Sequence, residues 1–340
     1  MKIAIFQSKG WEQEYLKNAL SQKNIEADFY PESLSKSKLP DKNDYDAISV
    51  FVGSLVDKEV IDYFPNLKLI TTRSTGFDHI NKVYAKEKNI ALEYVPFYGE
   101  NTVAEFAMGL ILTLSRKLYL GIDRIKETGE FSFDGLEGFD LKGKTLGVVG
   151  AGRIGQHVIK MAKGFDMNII AYDRTLKPEL AKELGFEYKT FDEVLGQSDI
   201  ITLHLFYAPE THHIINKENI SKIKKGAYLI NTARGPIVDT EALVLALEKG
   251  ILAGAGLDVL EEEGTLKDEQ GYWMRDADDD AKDINMKTLL QNHVLFKMPN
   301  VVVTPHNAFN TREAIIRILD TDILNITSFV ETGKVINPIS

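Results

Sequence analysis

The chain has no cysteine, which excludes disulfides, iron–sulfur clusters, thiolate-held zinc and cysteine nucleophiles. Cationic charge is also short: 40 Lys and Arg stand against 50 Asp and Glu, for a formal net charge of −10. That sign repels a phosphate backbone and argues against nucleic acid as a partner. An acidic chain of this kind suits a cytoplasmic enzyme acting on small molecules. Long hydrophobic runs are missing too. The longest apolar stretch near a helix, Phe106 to Leu114, falls far below the ~20 residues that cross a bilayer. Ile3 to Phe6 is too short for a signal-peptide core, so no membrane segment is expected and the start reads as a first strand. Repeats and low-complexity tracts are absent as well.

What is present is ordinary globular composition, with 44% hydrophobic and 26% charged residues in 340. At ~150 residues per domain that length allows about two domains, each able to build a core. Short apolar, β-branched runs (KIAIF, EADFY, DAISVFV, LKLITTRS, IALEYV) alternate with helical patterns, the signature of a parallel sheet with crossover helices. A second series starts at KTLGVVG and runs through NIIAYD, FEYK, DIITLHL, AYLINTA and AGAGLDVL. Between the two series the periodicity predicts one long helix from Thr102 to about Lys126. A last helix, beginning near TREAII, is expected to stop at Gly333 and to return to the first domain. The stretch 264–297 breaks the rhythm and holds RDADDDAKD, Arg275 to Asp283. A calcium loop starting at Asp276 would need Gly and Glu where Ala281 and Lys287 stand, so a solvated loop is expected there.

Gly150-Ala151-Gly152-Arg153-Ile154-Gly155 matches G-x-G-x-x-G. It follows the apolar run Leu146 to Val149 and precedes a helical pattern. Such glycines permit a tight turn, close approach of backbone to pyrophosphate, and close packing of helix on strand. The next strand ends in Asp173, eighteen residues beyond Gly155, where an acid holds ribose hydroxyls and repels a 2′-phosphate. The cofactor expected is therefore NAD.

Three later strands end in polar residues that packing does not call for: Arg234 after YLINTA, Asp258 and Glu263 after AGAGL, and His306 after VVVTP. In open α/β sheets ligands bind outside the carboxyl ends of strands. An arginine fork suits the carboxylate of a 2-oxo acid. Adding hydride to a carbonyl also needs a proton donor near neutral pH, which a histidine beside a carboxylate supplies; His306 with Glu263 makes such a dyad. Taken singly, Arg234 and Glu263 could be surface charges, and His306 a structural histidine. No metal site is expected, since the histidines show no ligand spacing with carboxylates. His79, His157, His212, His213 and His293 read as structural or exposed, and His204 as lining the cofactor cleft without reacting.

In this order, GAGRIG with Asp173, INTARGPIVD, GLDVLEEE and VTPHNAF resemble the D-isomer specific 2-hydroxyacid dehydrogenase family, and most closely its D-lactate dehydrogenase branch. The resemblance covers nearly the whole chain. It implies an α/β protein: a Rossmann-type NAD-binding domain, 102–300, inserted into a discontinuous flavodoxin-like substrate domain, 1–101 plus 301–340, commonly as a homodimer. Position by position, it implies that Arg234 binds substrate, Glu263 completes the dyad, His306 is the general acid and base, and Asp258 lies near the nicotinamide amide. It adds Gly150, Gly152, Arg153, Ile154, Gly155, His204, Leu205, Phe206, Thr211, Thr232 and Ala233 as cofactor contacts, with Phe206 standing where relatives commonly carry proline. RSTGFDHI resembles a loop whose backbone N–H groups meet the substrate carboxylate, which selects Thr75 and Gly76. Tyr98 is implied as a cap, with Phe51 and Phe309 as walls of a small pocket; taken singly, these aromatics could be ordinary core. The implied activity is NAD-dependent interconversion of a small 2-oxo acid and its D-2-hydroxy acid, pyruvate and D-lactate first. Bulkier acids, a glyoxylate or hydroxypyruvate reductase, and an NAD-sensing corepressor-like scaffold remain as alternatives.

Overall fold

The computed structural model describes residues 1–267 and 285–339. The chain forms two compact units, Met1–Tyr98 with Asn310–Ser340, and Gly99–Phe309. The acid-rich stretch Arg275 to Asp283 lies outside the described residues.

In the first unit the strands are β1 (Lys2–Phe6), β2 (Glu26–Tyr30), β3 (Ala47–Val50), β4 (Leu69–Thr72) and β5 (Ala91–Glu93). All pair in parallel, in the order β2-β1-β3-β4-β5, which is the flavodoxin-like winding. β1, β3 and β4 are buried almost throughout, as expected of parallel strands covered on both faces. The helix Arg312–Thr332 belongs to this unit. Its Asp320 accepts from the Tyr15 hydroxyl at 2.6 Å, and Gly333, at φ +69°, ends it.

The second unit holds β6 (Thr145–Val149), β7 (Asn168–Tyr172), β8 (Glu187–Tyr188), β9 (Ile200–Leu203), β10 (Ala227–Asn231), β11 (Leu252–Leu257) and β12 (Val301–Val303). Their order is β12-β11-β10-β9-β6-β7-β8. From β8 to β11 this is the doubly wound dinucleotide-binding arrangement, with β12 added at the edge. The chain runs outward from β6 through β7 to β8, then crosses back to lay β9 on the other side of β6. The carboxyl ends of β6 and β9 are thus the switch point at which such sheets bind ligands. Apolar clusters cover both faces, one around Leu203, Leu229 and Leu257, the other around Val148, Ile159 and Ile230.

Two sequence expectations shift. The single helix from Thr102 to Lys126 is two, Glu100–Ser115 and Leu118–Thr128, with Lys117 left-handed at φ +49°. The break has a long-range cause: the Ser115 carbonyl accepts from Phe139 N–H at 2.9 Å, and a Cβ on Gly138 would collide with that carbonyl. The return to the first unit falls at Asn310, not 301, because Val301–Val303 pairs with Ala255–Leu257 of β11. Among the described residues no helix is long and apolar enough to cross a membrane.

Candidate active site

Gly150 directly follows β6 at φ +99°, a conformation that L side chains rarely adopt. A Cβ there would sit 2.6 Å from the His204 carbonyl oxygen, and one on Gly155 would run into the Gly150 carbonyl. The first glycine therefore lets the loop close on the end of β9, and the last lets the helix Arg153–Gly164 approach its strand. That helix starts at Gly152 without a side-chain cap, so its first-turn N–H groups are fit to receive an anion. Asp173, just past β7, accepts from Ala151 N–H through Oδ2 and from Thr175 N–H through Oδ1, both at 2.9 Å. A carboxylate has about four lone-pair positions, which leaves room for ribose hydroxyls. Ile154 packs its side chain on the core. Arg153 reaches Glu100 at 3.5 Å on the exposed side.

Two buried polar atoms at neighbouring strand ends, His204 Nδ1 after β9 and Thr232 Oγ1 after β10, have no partner among the described residues. A bound polar group would relieve both. Burial pushes the His204 imidazole down to about 3, so the ring is neutral at working pH, while its Nε2 meets Thr202 Oγ1 at 2.8 Å. Thr211 closes the turn after β9, its hydroxyl donating to Phe206 O at 2.9 Å and accepting from Ala208 N–H at 2.8 Å. Leu205 packs against the core beneath, whereas Phe206 is exposed. The glycine loop, the uncapped helix start, Asp173 and these orphaned atoms together fit a dinucleotide.

Arg234 follows β10 on a turn clamped by Asn231, whose Nδ2 donates to Arg234 O at 2.9 Å and whose Oδ1 accepts from Ala233 N–H at 3.0 Å. Its own Nη1 donates to Ala233 O at 2.7 Å, which orients the half-buried guanidinium. His306 and Glu263 meet: Nδ1 to Oε1 is 2.7 Å, leaving Nε2 as the atom able to exchange a proton. His306 is itself left-handed at φ +53°, a strained state that persists only when its surroundings impose it. Asp258 imposes it. Its carbonyl accepts from His306 N–H at 2.8 Å, and its carboxylate accepts from Asn307 and Ala308 N–H, each at 2.8 Å, and from the Thr304 hydroxyl. Burial pushes the Asp258 carboxyl above its usual range, against the pull of those hydrogen bonds. Asp258, Glu263 and His306 border one cavity of 710 Å³. Phe309, half-buried, lies three residues beyond His306 in the same unit.

The remaining expected residues lie in the first unit. Phe51 follows β3 and accepts from Ser54 N–H at 2.9 Å. Thr75 and Gly76 follow β4; Thr75 Oγ1 donates to Val95 O at 2.8 Å, and Gly76 O accepts from Ser74 Oγ at 2.6 Å. Tyr98 follows β5, its carbonyl accepting from Arg317 Nε at 2.6 Å. Of the other histidines, His79 bonds Thr72 at 3.1 Å, His212 stacks on His213 with centroids 3.9 Å apart, and His293 meets Phe296 edge-on. No cluster able to hold a metal occurs among the described residues. Sequence reasoning missed Glu261 and the bonds that tie it to His213 and Thr240, because nothing local distinguishes three consecutive glutamates.

Doubly wound sheet, phosphate loop, an arginine after β10 and a histidine–carboxylate pair after the neighbouring strands β11 and β12 define a dinucleotide-dependent oxidoreductase. The profile of the D-isomer specific 2-hydroxyacid dehydrogenase NAD-binding domain matches residues 108–308. A 2-hydroxyacid dehydrogenase homolog of Zymomonas mobilis is 39% identical over 339 residues, covering 98% of each chain. An aromatic 2-oxoacid reductase of Clostridium sporogenes is 36% identical, over 98% of this chain and 97% of its own. The crystal structure of D-lactate dehydrogenase from Aquifex aeolicus, complexed with NAD and lactic acid, superposes with a TM-score of 0.85 at 35% identity, covering 99% of this chain and all of that one. The chain belongs to the D-isomer specific 2-hydroxyacid dehydrogenase family and is an NAD-dependent oxidoreductase.

Proposed function

We propose that the chain interconverts pyruvate and D-lactate, with Arg234 as the carboxylate grip, His306 as general acid and base, and Glu263 as its partner. The observation that carries this reading is the 2.7 Å His306–Glu263 contact, with Gly235, next to Arg234, packed on the turn that leads to Glu263. The likeness to the Aquifex aeolicus D-lactate dehydrogenase supports the choice of substrate. Bound NAD supplies the hydride acceptor, and NADH the donor. Arg234 presents paired N–H donors to the 2-oxo carboxylate and so orients the carbonyl. His306 Nε2 delivers a proton to the carbonyl oxygen in reduction and withdraws it in oxidation. Glu263 holds the ring through Nδ1, which fixes its orientation and leaves Nε2 to exchange the proton. Reduction accordingly needs a protonated imidazole at the start and oxidation a neutral one.

For the first unit, we assign backbone N–H groups of Thr75 and Gly76 to the substrate carboxylate and Phe51 and Tyr98 to its walls; Phe309 does the same from the second. We further propose a cytoplasmic homodimer. Its support is an exposed apolar stripe at helical spacing, Leu118, Ile122 and Ile125, followed by Phe131 and Phe133 at 94% and 85% exposure.

A panel of pyruvate, glyoxylate, hydroxypyruvate and phenylpyruvate with NADH, with D- and L-lactate and NAD for the reverse, tests the reading. Pyruvate is expected to show the highest kcat/KM, and D-lactate alone to be oxidised. A faster aromatic acid would move the assignment toward the Clostridium sporogenes relative, and NADH unconsumed by every acid would leave a cofactor-sensing scaffold.

A further inference from the structure

The run Glu261–Glu263 places a second carboxylate two residues before the one that meets His306, and it turns to a different histidine. Glu261 Oε1 accepts from His213 Nε2 at 2.7 Å. Its Oε2 accepts from Thr240 N–H at 2.9 Å and from Thr240 Oγ1 at 2.6 Å. The Glu261 carbonyl accepts from Nδ2 of the buried Asn292 at 2.7 Å. His213, left-handed at φ +49°, donates its N–H to Pro236 O at 2.8 Å. Glu261 therefore ties together the loop after β9, the segment after the Arg234 turn, and its own turn.

Two further observations give this node a bearing on the reacting groups. A Cβ on Gly235 would collide with the Leu260 carbonyl carbon and oxygen and with Glu261 N, so the residue after Arg234 lies directly on the turn that leads to Glu263. Glu262, the residue between the two anchored glutamates, is left-handed at φ +58°. A non-glycine residue in that state costs on the order of 1–3 kcal/mol and needs both flanks held. Release of Glu261 would let Glu262 relax, and that rotation carries the Glu263 carboxylate away from Nδ1 of His306.

We infer that Glu261 and His213 form a second, non-reacting histidine–glutamate pair that registers the Arg234 turn against the Glu263 turn, making both positioning residues for hydride transfer chemistry. The inference rests on the His306–Glu263 reading above. Among the described residues, Glu263 bonds the His306 ring and Asp258 acts on it electrostatically, while Asp123 and Lys297 line the same cavity; only Glu263 is joined to the Glu261 turn, so the effect of the pair reaches the reaction through Glu263.

The test is kcat/KM for reduction against pH, using NADH and the best acid of the panel, in wild type, Glu261→Gln, His213→Gln, Glu263→Gln and the Glu261→Gln/Glu263→Gln double variant. Thermal unfolding and NADH binding are measured alongside. Glu261→Gln and His213→Gln are each expected to lose about tenfold to a hundredfold in kcat/KM. Each should also move the high-pH limb in the direction that Glu263→Gln moves it. NADH affinity should stay near that of the wild type, and Glu261→Gln should add no further movement in the Glu263→Gln background. A wild-type limb in the folded single variants, whatever the melting temperature does, overturns the inference, as does an equal shift in the Glu263→Gln background. Should Glu261→Gln fail to fold, His213→Gln decides alone. A Glu263→Gln limb that does not move sinks the dyad reading and this inference with it, a result separate from the first two.

Discussion

Arg234→Lys keeps the charge and discards the planar fork. In the protein the guanidinium plane is set by the 2.7 Å bond from Nη1 to Ala233 O, and the turn beneath it by Asn231. Of five N–H donors, that anchor uses one, so a parallel pair remains for a substrate carboxylate. Lysine has three donors on a flexible stem and cannot both keep the anchor and offer two parallel bonds. One charge-assisted hydrogen bond and the orientation it imposes are lost, about 2–4 kcal/mol of transition-state binding, or roughly 30- to 1,000-fold in kcat/KM. The assay is steady-state reduction of pyruvate, with NADH affinity followed by its fluorescence. Because the loss concerns the acid, NADH binding is expected to change little while kcat/KM collapses. Near-normal turnover by Arg234→Lys would refute the reasoning, and so would a loss matched by an equal loss of NADH affinity.

In the first unit, Asp322 accepts from Ser49 Oγ at 2.8 Å and Thr71 Oγ1 at 2.7 Å, and Ser49 Oγ in turn accepts from Arg73 Nη1 at 2.7 Å. Both charges are fully buried, and burial pushes the Asp322 carboxyl up and the Arg73 guanidinium down. Asp322→Ala removes the stronger of two carboxylates acting on the guanidinium, Glu12 being the other, and should cost about 3–5 kcal/mol, seen as a lower urea midpoint; an unchanged midpoint would show that Glu12 and the Phe6 carbonyl suffice to hold the charge. Asp173→Ala removes the carboxylate that would repel a 2′-phosphate, together with the bond to Ala151 N–H. The NADH to NADPH ratio of kcat/KM is expected to fall, and a constant ratio would take the ribose away from Asp173.

Local chemistry was enough to read much of this protein. Buried parallel strands are continuous apolar runs, so KIAIF, TLGVV and IITL announce themselves. Glycines needed at a tight strand-to-helix turn are spaced by that turn, and Gly150 and Gly155 could be picked out from their neighbours alone. His306, Glu263 and Arg234 could be picked out as candidates because each follows the carboxyl end of a strand within a few residues, where polar residues have no packing reason to stand. Tertiary structure decided the rest, through contacts between residues far apart in the chain. It broke the helix at Lys117 because Phe139 takes the Ser115 carbonyl, and it kept Val301–Val303 in the second sheet because β11 offered a free edge. It also sorted three adjacent glutamates. Glu263 meets His306 across 43 positions and Glu261 meets His213 across 48. Side chains of identical chemistry take their roles from what the fold brings beside them, and no local pattern carries that information.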